Sequence, residues 1–408
     1  MHIVTFGEIL LRLSPEGYRR LFQAPRLEAT FGGAEANVAL SLAAMGLDAV
    51  FVTRLPENAI GCAARDFLRG AGVDTRRIAW GGERLGIYYM EKGIGQRAPV
   101  CVYDRAHSAV AQATPADFDW DTVFADADWF HFSGITPALG GAMPAICEAA
   151  CVAARARGVR VSCDLNYRDK LWTRGEACTV MTRLAALTDV CIANDEDARD
   201  VFGILPDASA TGRDAYLSVA RRLTESFGYA EVAMVLRLPR GDDGYDLTGL
   251  LYDGCTGRAF VAPTHGLSIV ERVGAGDAFC AGLIYAHLTG MEQANAIQFA
   301  VAASAFKHTI EGDCNRVTAD EVRQAMKQPA ALIGSRSQTV NIAHMPDGAL
   351  RLTPAGARLT KFCNSEILHL QKKQECGIIA LVLPCGVFPE FMKESRYTAW
   401  LHSLSIKS

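Results

Sequence analysis

The sequence predicts an α/β fold, a doubly wound and mainly parallel sheet with helices on both faces and a small β-sheet lid. Short apolar runs alternate with helical stretches of about 10–15 residues, which is typical of consecutive βαβ units. Two segments, at about 12–30 and 85–105, instead carry short alternating strands with no helix between them. These segments predict a small antiparallel sheet inserted in the α/β domain and able to cover a cleft.

The core elements follow one another in order. A first strand is expected from His2 to Ile9, where an apolar run ends at Gly-Glu. Small and apolar residues at helical spacing predict a helix from Ala34 to Met45, stopped by Gly46. The later expectations are strands at 49–54, 129–135, 159–166, 188–194 and 231–238, and helices at 59–69, 141–157 and 213–226.

Composition narrows the function classes. The net charge of -4 is spread along 408 residues, so no basic face for nucleic acid is indicated. We expect a cytoplasmic protein, because there is no signal-peptide pattern and no run of 18 apolar residues that could cross a membrane. The thirteen cysteines are odd in number and form no C-x-x-C pair, which favours reduced thiols over a disulfide framework.

Several common site motifs are missing. There is no G-x-x-x-x-G-K-[ST] loop, no G-x-G-x-x-G, no H-E-x-x-H and no G-x-S-x-G. The nine histidines form no cluster with ligand spacing, so no metal-ligating residue is predicted. A P-loop nucleotide site is therefore excluded, and a dinucleotide site has little support.

The most informative motif is ERVGAGDAFCAGLIYAHLTG at 271–290. Gly274, Ala275 and Gly276 predict a tight loop whose backbone N–H groups, at a helix N-terminus, form an anion pocket. Asp277 is expected to begin the helix, beside the anion. It could accept a proton from an attacking hydroxyl as a general base, or it could simply cap the helix.

A second glycine motif, FGGAEANVA, occupies 31–39. A glycine pair at a helix start allows a ligand to approach the backbone closely, and Asn37 could hydrogen-bond a sugar hydroxyl. An ordinary turn and cap is the alternative.

Polar residues follow a predicted core strand in CDLNYRDKLW, at 163–172. Ligands of parallel sheets bind beyond the carboxyl ends of the strands, so Asp164, Asn166 and Arg168 lie where chemistry is expected. Tyr103 and Arg105 share one face of a lid strand. Arg105 and Arg168 could together clamp a carboxylate. The alternatives are a solvated loop with a structural salt bridge, and two surface arginines.

Together these motifs resemble the ribokinase-like (PfkB) carbohydrate kinases. The glycine-rich run at 31–39 and VGAGDAF at 273–279 are similar to that family's two motifs, in order and about 240 residues apart. Within the family, YDRAHSA, DWFHFSGITPAL and SCDLNYRDKLW resemble kinases of the sugar acid 2-keto-3-deoxygluconate. The resemblance covers roughly residues 1–326.

The resemblance implies site residues. Asp277 would be the catalytic base, and Gly274, Ala275 and Gly276 the anion hole. The implied substrate contacts are Gly33, Ala34, Glu35, Ala36, Asn37, Tyr88, Tyr103, Asp104, Arg105, Arg168 and Asp313. The implied contacts to nucleotide phosphates and the metal-water network are Asn166, Tyr167, Arg168, Asn194, Arg237 and the loop from Gly274 to Asp277.

The resemblance also implies ATP and Mg²⁺, phosphorylation of 2-keto-3-deoxygluconate, and a homo-oligomer formed through the lid. Two rivals stay open: a sister kinase for another sugar or a nucleoside, and a non-catalytic sugar-acid binding protein of the same fold. Two segments depart from the family. The nucleotide loop at 235–251 is unusual, and the C-terminal extension at 327–408 resembles nothing in it.

Overall fold

The structure, a computed structural model, describes residues 1–23, 25–240 and 245–327, and the backbone of 369–372 and 379–382. The chain divides into two compact units, Met1–Ala331 and Leu332–Ser408. In the second unit, the strands His369–Lys372 and Ile379–Val382 form an antiparallel pair. The rest of the predicted C-terminal extension lies outside the described residues, so the domain boundary at 326 stays a prediction.

In the first unit the strands are β1 (His2–Phe6), β2 (Leu10–Ser14), β3 (Glu28–Gly32), β4 (Asp48–Val52), β5 (Arg54–Leu55), β6 (Ala79–Trp80), β7 (Ile87–Glu91), β8 (Val100–Asp104), β9 (Trp129–Ser133), β10 (Arg160–Asp164), β11 (Val190–Ala193), β12 (Glu231–Pro239), β13 (Tyr245–Asp253), β14 (Ala259–Val261) and β15 (His265–Gly266). The helices are α1 (Ala34–Ala44), α2 (Ala59–Gly70), α3 (Trp120–Val123), α4 (Met143–Ala156), α5 (Arg174–Ala185), α6 (Asp195–Phe202), α7 (Arg213–Phe227), α8 (Ala275–Leu288), α9 (Gln293–Lys307) and α10 (Ala319–Met326).

The main sheet has nine strands in the order β14-β13-β12-β11-β10-β9-β1-β4, with β15 paired to β13. Neighbours from β4 to β12 run parallel, whereas β13, β14 and β15 pair antiparallel at one edge. The predicted α/β class with a mainly parallel sheet is therefore confirmed. Its consequence is that the carboxyl ends of β1, β9, β10 and β11 meet along one edge.

The core consists of two hydrophobic layers, because successive side chains of a strand point to opposite faces. Ile3 of β1 belongs to one layer and its neighbour Val4 to the other. The first layer also receives α8 through Phe279, and the second receives α4 through Ile146. Helices thus cover both faces of the sheet, as the sequence predicts.

The lid is a separate four-stranded sheet in the order β3-β2-β7-β8. One expectation about it was wrong. The two hairpins β2–β3 and β7–β8 are antiparallel, but they join through a parallel pair, β2–β7, so the sheet is mixed. The two hairpins come from distant parts of the chain, and the turn inside each one does not determine how they meet.

Among the described residues, no helix is long and apolar enough to cross a membrane.

Candidate active site

A cavity of about 670 Å³ opens at the carboxyl edge of the parallel strands. Glu8 just after β1, Asp164 at the end of β10 and Asn194 just after β11 line it from the core. Tyr88 of β7 and Tyr103 of β8 line it from the lid. The cavity therefore lies between the main sheet and the lid, where parallel-sheet folds bind ligands.

Most predicted site residues line this cavity. Those that do are Gly33, Ala34, Glu35, Asn37, Tyr88, Tyr103, Arg105, Asp164, Asn166, Tyr167, Arg168, Asn194, Arg237, Gly274, Ala275, Gly276, Asp277 and Asp313. Two do not. Ala36 points into the hydrophobic core, where it is fully buried. Asp104 alternates outward on β8 and pairs with Arg84 on the surface, Oδ1 to Nη1 2.8 Å.

The glycine loop turns directly into α8. Gly274 has a φ of 80°, and a Cβ there would stand 1.9 Å from the carbonyl oxygen of Asp313, so only glycine fits. The N-cap of α8 is this Gly274, and the helix begins at Ala275. Asp277 is therefore inside the first turn, and the interpretation of it as the N-cap is wrong.

The carboxylate of Asp277 faces the cavity next to that loop. Burial raises its pKa to about 7; the hydrogen bond from Asn37 Nδ2 to Oδ2 (2.7 Å) lowers it, and the charge of Glu35 raises it further. A carboxylate with a pKa near neutrality is suited to accept a proton at physiological pH. The geometry thus gives Asp277 the environment of a general base.

Glu35 is held inside the protein rather than free for a ligand. Its Oε1 accepts hydrogen bonds from the backbone N–H of Ser133 (2.9 Å), the hydroxyl of Ser133 (2.6 Å) and the hydroxyl of Thr136 (2.6 Å). Burial raises its pKa.

Gly33, two residues before Glu35, is the N-cap of α1, where a Cβ would stand 2.0 Å from the carbonyl oxygen of Glu8. This glycine lets the start of α1 approach the segment after β1 closely.

The loop after β10 is hydrogen-bonded to the start of α6. The backbone N–H of Tyr167 donates to Asp197 Oδ1 (3.0 Å), and Asn194 caps α6 by accepting from the Asp197 N–H (2.7 Å). Burial raises the pKa of Asp197 to about 6. Burial also raises the pKa of Asp164 well above its usual range, and the negative charges of Asp197 and Asp277 raise it further. Asp197, which sequence reasoning missed, sits three residues after Asn194 at the start of α6.

The two predicted clamp arginines differ in their partners. Arg105 forms a buried ion pair with Glu8, which sequence reasoning missed, and its guanidinium lies 5.3 Å from the ring centroid of Tyr103. Arg168 donates to the carbonyl oxygen of Tyr167 (2.9 Å) and, in the described part of the chain, has no carboxylate within ion-pair distance. Its positive charge acts on Asp164, Asp197 and Asp277. Arg168 is thus the better placed of the two for an anionic ligand.

Asp313 joins the lid to the core. Tyr88 of the lid donates its hydroxyl to Oδ2, while Arg12 of β2 bonds Oδ1 through Nη1 (2.5 Å) and Glu271 through Nη2 (2.7 Å). Arg12 is 2% exposed and was not predicted as a site residue. Both oxygens of Asp313 accept hydrogen bonds from lid side chains, Oδ1 from Arg12 and Oδ2 from Tyr88. Asp313 therefore ties the lid to the core.

Two arginines meet at one aromatic ring beside the glycine loop. The guanidinium carbons of Arg237 and Arg272 lie 5.9 and 5.2 Å from the ring centroid of Tyr245. Both arginines line the cavity and are exposed. Sequence reasoning named Arg237 but missed Arg272, although Arg272 stands directly before VGAGD.

The cavity suits a metal ion that is bound together with a phosphate ligand better than one held by protein side chains alone. Within 1–23, 25–240 and 245–327, no three His, Cys, Asp or Glu side chains form a cluster able to hold a metal ion. Mg²⁺ is usually bound by one or two carboxylates together with phosphates and water. Carboxylates line the cavity, and Asp164 and Asp197 are among them.

A glycine loop at a helix N-terminus, a buried carboxylate beside it and a lid over the cavity are typical of phosphoryl-transfer enzymes of the α/β class. Residues 1–319 match the model of the pfkB family carbohydrate kinases. The chain belongs to the pfkB family of carbohydrate kinases.

Relatives of known name agree with this assignment. The 2-dehydro-3-deoxygluconokinase of Thermotoga maritima is 46% identical, with a TM-score of 0.77 over 80% of this chain and 98% of its own. The 2-dehydro-3-deoxygalactonokinase of Haloferax volcanii is 33% identical over 80% of this chain and 96% of its own. A ribokinase II candidate from E. coli, complexed with ATP and Mg²⁺, shares the fold at 20% identity, with a TM-score of 0.66 over 80% of this chain and 98% of its own.

Proposed function

We propose that this kinase transfers the γ-phosphoryl group of ATP to the terminal hydroxyl of 2-keto-3-deoxygluconate, also called 2-dehydro-3-deoxygluconate. The product is 2-keto-3-deoxy-6-phosphogluconate. The observation that carries the proposal is the carboxylate of Asp277, with its pKa of about 7, beside the Gly274–Gly276 loop. The name of the Thermotoga maritima relative supports the choice of substrate.

In the proposed reaction the hydroxyl oxygen forms a bond to the γ-phosphorus while the bond from that phosphorus to the oxygen of ADP breaks. Asp277 takes the hydroxyl proton. The backbone N–H groups of the glycine loop and the N-terminus of α8 stabilise the charge on the transferred group. When bound, Mg²⁺ offsets the negative charge of the triphosphate. Arg237 and Arg272 are cavity cations that meet at the ring of Tyr245, and Arg272 stands two residues before Gly274.

The acid preference rests on Arg168. A substrate carboxylate would give this guanidinium the anionic partner that the described protein does not supply. Arg105 is a weaker candidate, because Glu8 already neutralises it. A clamp by both arginines stays a prediction. Closure of the lid over the sugar would exclude water, which limits hydrolysis of ATP.

A second candidate substrate is the C4 epimer, 2-keto-3-deoxygalactonate. The Haloferax volcanii relative named for that acid supports it. A coupled ADP-release assay with both acids, neutral hexoses and a nucleoside tests the proposal. We expect the highest kcat/KM with 2-keto-3-deoxygluconate and much lower values with neutral sugars. Preference for a neutral sugar or a nucleoside would contradict the acid assignment, and no turnover with any acceptor would favour a binding protein.

The assembly and location expected from the sequence also stay predictions. The outer face of β8 leaves Val100 (38%) and Val102 (48%) exposed, which supports association through the lid. Analytical ultracentrifugation of the wild type and of a Val102→Lys variant tests this directly: loss of the homo-oligomer in the variant is the expected result. A metabolic kinase is expected to work in the cytoplasm.

A further inference from the structure

The amide of Asn37 contacts the carboxylate of Asp277 directly. Nδ2 donates a hydrogen bond of 2.7 Å to Oδ2, which joins helix α1 to helix α8 through two residues 240 apart in sequence. Asn37 is only 2% exposed. From the sequence, Asn37 could hydrogen-bond a sugar hydroxyl or belong to an ordinary turn and cap, whereas the structure gives its donor group a partner inside the protein.

Two other groups fix the orientation of this amide. The carbonyl oxygen Oδ1 accepts from the backbone N–H of Gly33 (3.4 Å) and lies 3.7 Å from the thiol Sγ of Cys314, which is also a donor. If the oxygen and nitrogen of the Asn37 amide were exchanged, Oδ1 would face a carboxylate oxygen of Asp277. The amide nitrogen would then face two hydrogen-bond donors, the Gly33 N–H and the Cys314 thiol. The NH₂ group therefore faces Asp277.

This arrangement separates the two oxygens of Asp277. Oδ2 is occupied by a donor, so Oδ1 is the oxygen left to receive a proton. The hydrogen bond from Asn37 also stabilises the ionised carboxylate, whereas burial favours the neutral form. The other titratable or charged groups acting on this carboxylate from the surrounding elements are Glu35, Asp164, Arg168, Cys280, Asp313 and Cys314.

We propose that Asn37 is a positioning residue, whose amide holds the carboxylate of Asp277 with one oxygen free to accept the proton of the sugar hydroxyl. The inference rests on the proposed function for its catalytic meaning. The contact itself makes a prediction that does not depend on any substrate.

The first test is a titration of the carboxyl group. In ¹³C-aspartate-labelled protein the Asp277 signal is assigned by its absence in Asp277→Asn, and its pKa is measured in the wild type and in Asn37→Leu. Leucine has the same branched skeleton, with methyl groups in place of the amide oxygen and nitrogen, and no donor, so we expect the pKa of Asp277 to rise by about one to two pH units. An unchanged pKa in a folded variant would overturn the proposal, whichever sugar the enzyme uses.

The second test is kinetic. We expect Asn37→Leu to lower kcat at pH 7 by roughly 10- to 100-fold and to move the acid limb of the pH–rate profile upward by the same one to two units, with little change in the KM for the sugar acid. A raised KM with an unmoved acid limb would instead make Asn37 a sugar ligand. Absence of turnover in the wild type would contradict the proposed function alone.

A matched control lies on the same helix. Ser41 is also buried in α1, does not line the cavity, and its Oγ has no hydrogen-bond partner in the described structure. Ser41→Ala should leave the pKa of Asp277 and the acid limb unchanged. If Ser41→Ala moved both as far as Asn37→Leu does, the effect would come from general repacking of α1, and the proposal would be wrong.

Discussion

The guanidinium of Arg105, which follows lid strand β8, is paired with the carboxylate of Glu8, which follows core strand β1, with Nε and Oε2 2.8 Å apart. Ser108 donates its hydroxyl to the other oxygen of Glu8 (2.5 Å). Both charged side chains are buried. The lid is therefore tied to the core by the protein's own ion pair, and the charge of Arg105 is balanced before any substrate arrives.

Removing one partner of this pair should be costly. Glu8→Ala leaves a buried, unpaired guanidinium, so we expect the free energy of unfolding to fall by about 3–5 kcal/mol. Urea denaturation measures the change. The double variant Glu8→Ala/Arg105→Ala should recover part of it, because the uncompensated charge is gone. If the double variant were destabilised by the sum of the two single changes, the two side chains would not be coupled.

Arg168 should carry the preference for an acid. Arg168→Leu removes a cavity cation that has no carboxylate partner among the described residues, and we expect the KM for 2-keto-3-deoxygluconate to rise roughly 30-fold or more. Values for neutral hexoses should change little. Because Arg168 also lowers the pKa of Asp277, the comparison belongs at about pH 8.5, where Asp277 is ionised in both proteins.

The KM for ATP must be measured in the same Arg168 experiment. Loss of affinity for ATP alone, with the preference for the acid retained, would make Arg168 a phosphate ligand and contradict the carboxylate assignment.

Arg272 should contact the nucleotide rather than the sugar. Arg272→Gln keeps a polar side chain but removes the charge beside the glycine loop, so the KM for ATP should rise about tenfold while that for the sugar acid is unchanged. Arg258→Gln is the matched control, because Arg258 also lies over an aromatic ring, that of Phe260 at 5.1 Å, but outside the cavity. The assignment fails if both variants behave alike.

Local patterns were enough to predict most elements of the core. The alternation of apolar runs and helices was sufficient for the parallel sheet, and the glycine pair at 32–33 correctly marked the start of α1. The start of α8 was misjudged by two residues. Aspartate after glycine is typical of an N-cap, but the left-handed backbone of Gly274 makes that residue the cap instead.

The partners of the site residues could not be predicted in the same way. Arg105 and Glu8 are 97 residues apart, and Asn37 and Asp277 are 240 apart. No turn or periodicity connects them, so only the folded chain shows that one clamp arginine is neutralised and that the amide meets the base. The parallel pairing of β2 with β7 was missed for the same reason.

The pH dependence should reflect the raised pKa of Asp277. Only the ionised carboxylate can take a proton, so kcat/KM for the sugar acid should fall about tenfold per pH unit below about pH 7 and level off above it. A base with the ordinary aspartate pKa of 3.8 would give a flat profile down to about pH 5. Tryptophan fluorescence across the same range should show that the protein stays folded.

The central claim is that Asp277 is the base of a phosphoryl transfer, and Asp277→Asn tests it most directly. The amide keeps the shape of the side chain but cannot take a proton, so kcat should fall by about 10²–10⁴ while the KM for the sugar acid and the melting temperature change little. Single-turnover ADP release by the variant and the wild type measures the effect on the chemical step. Turnover like that of the wild type in a folded Asp277→Asn protein would contradict the account.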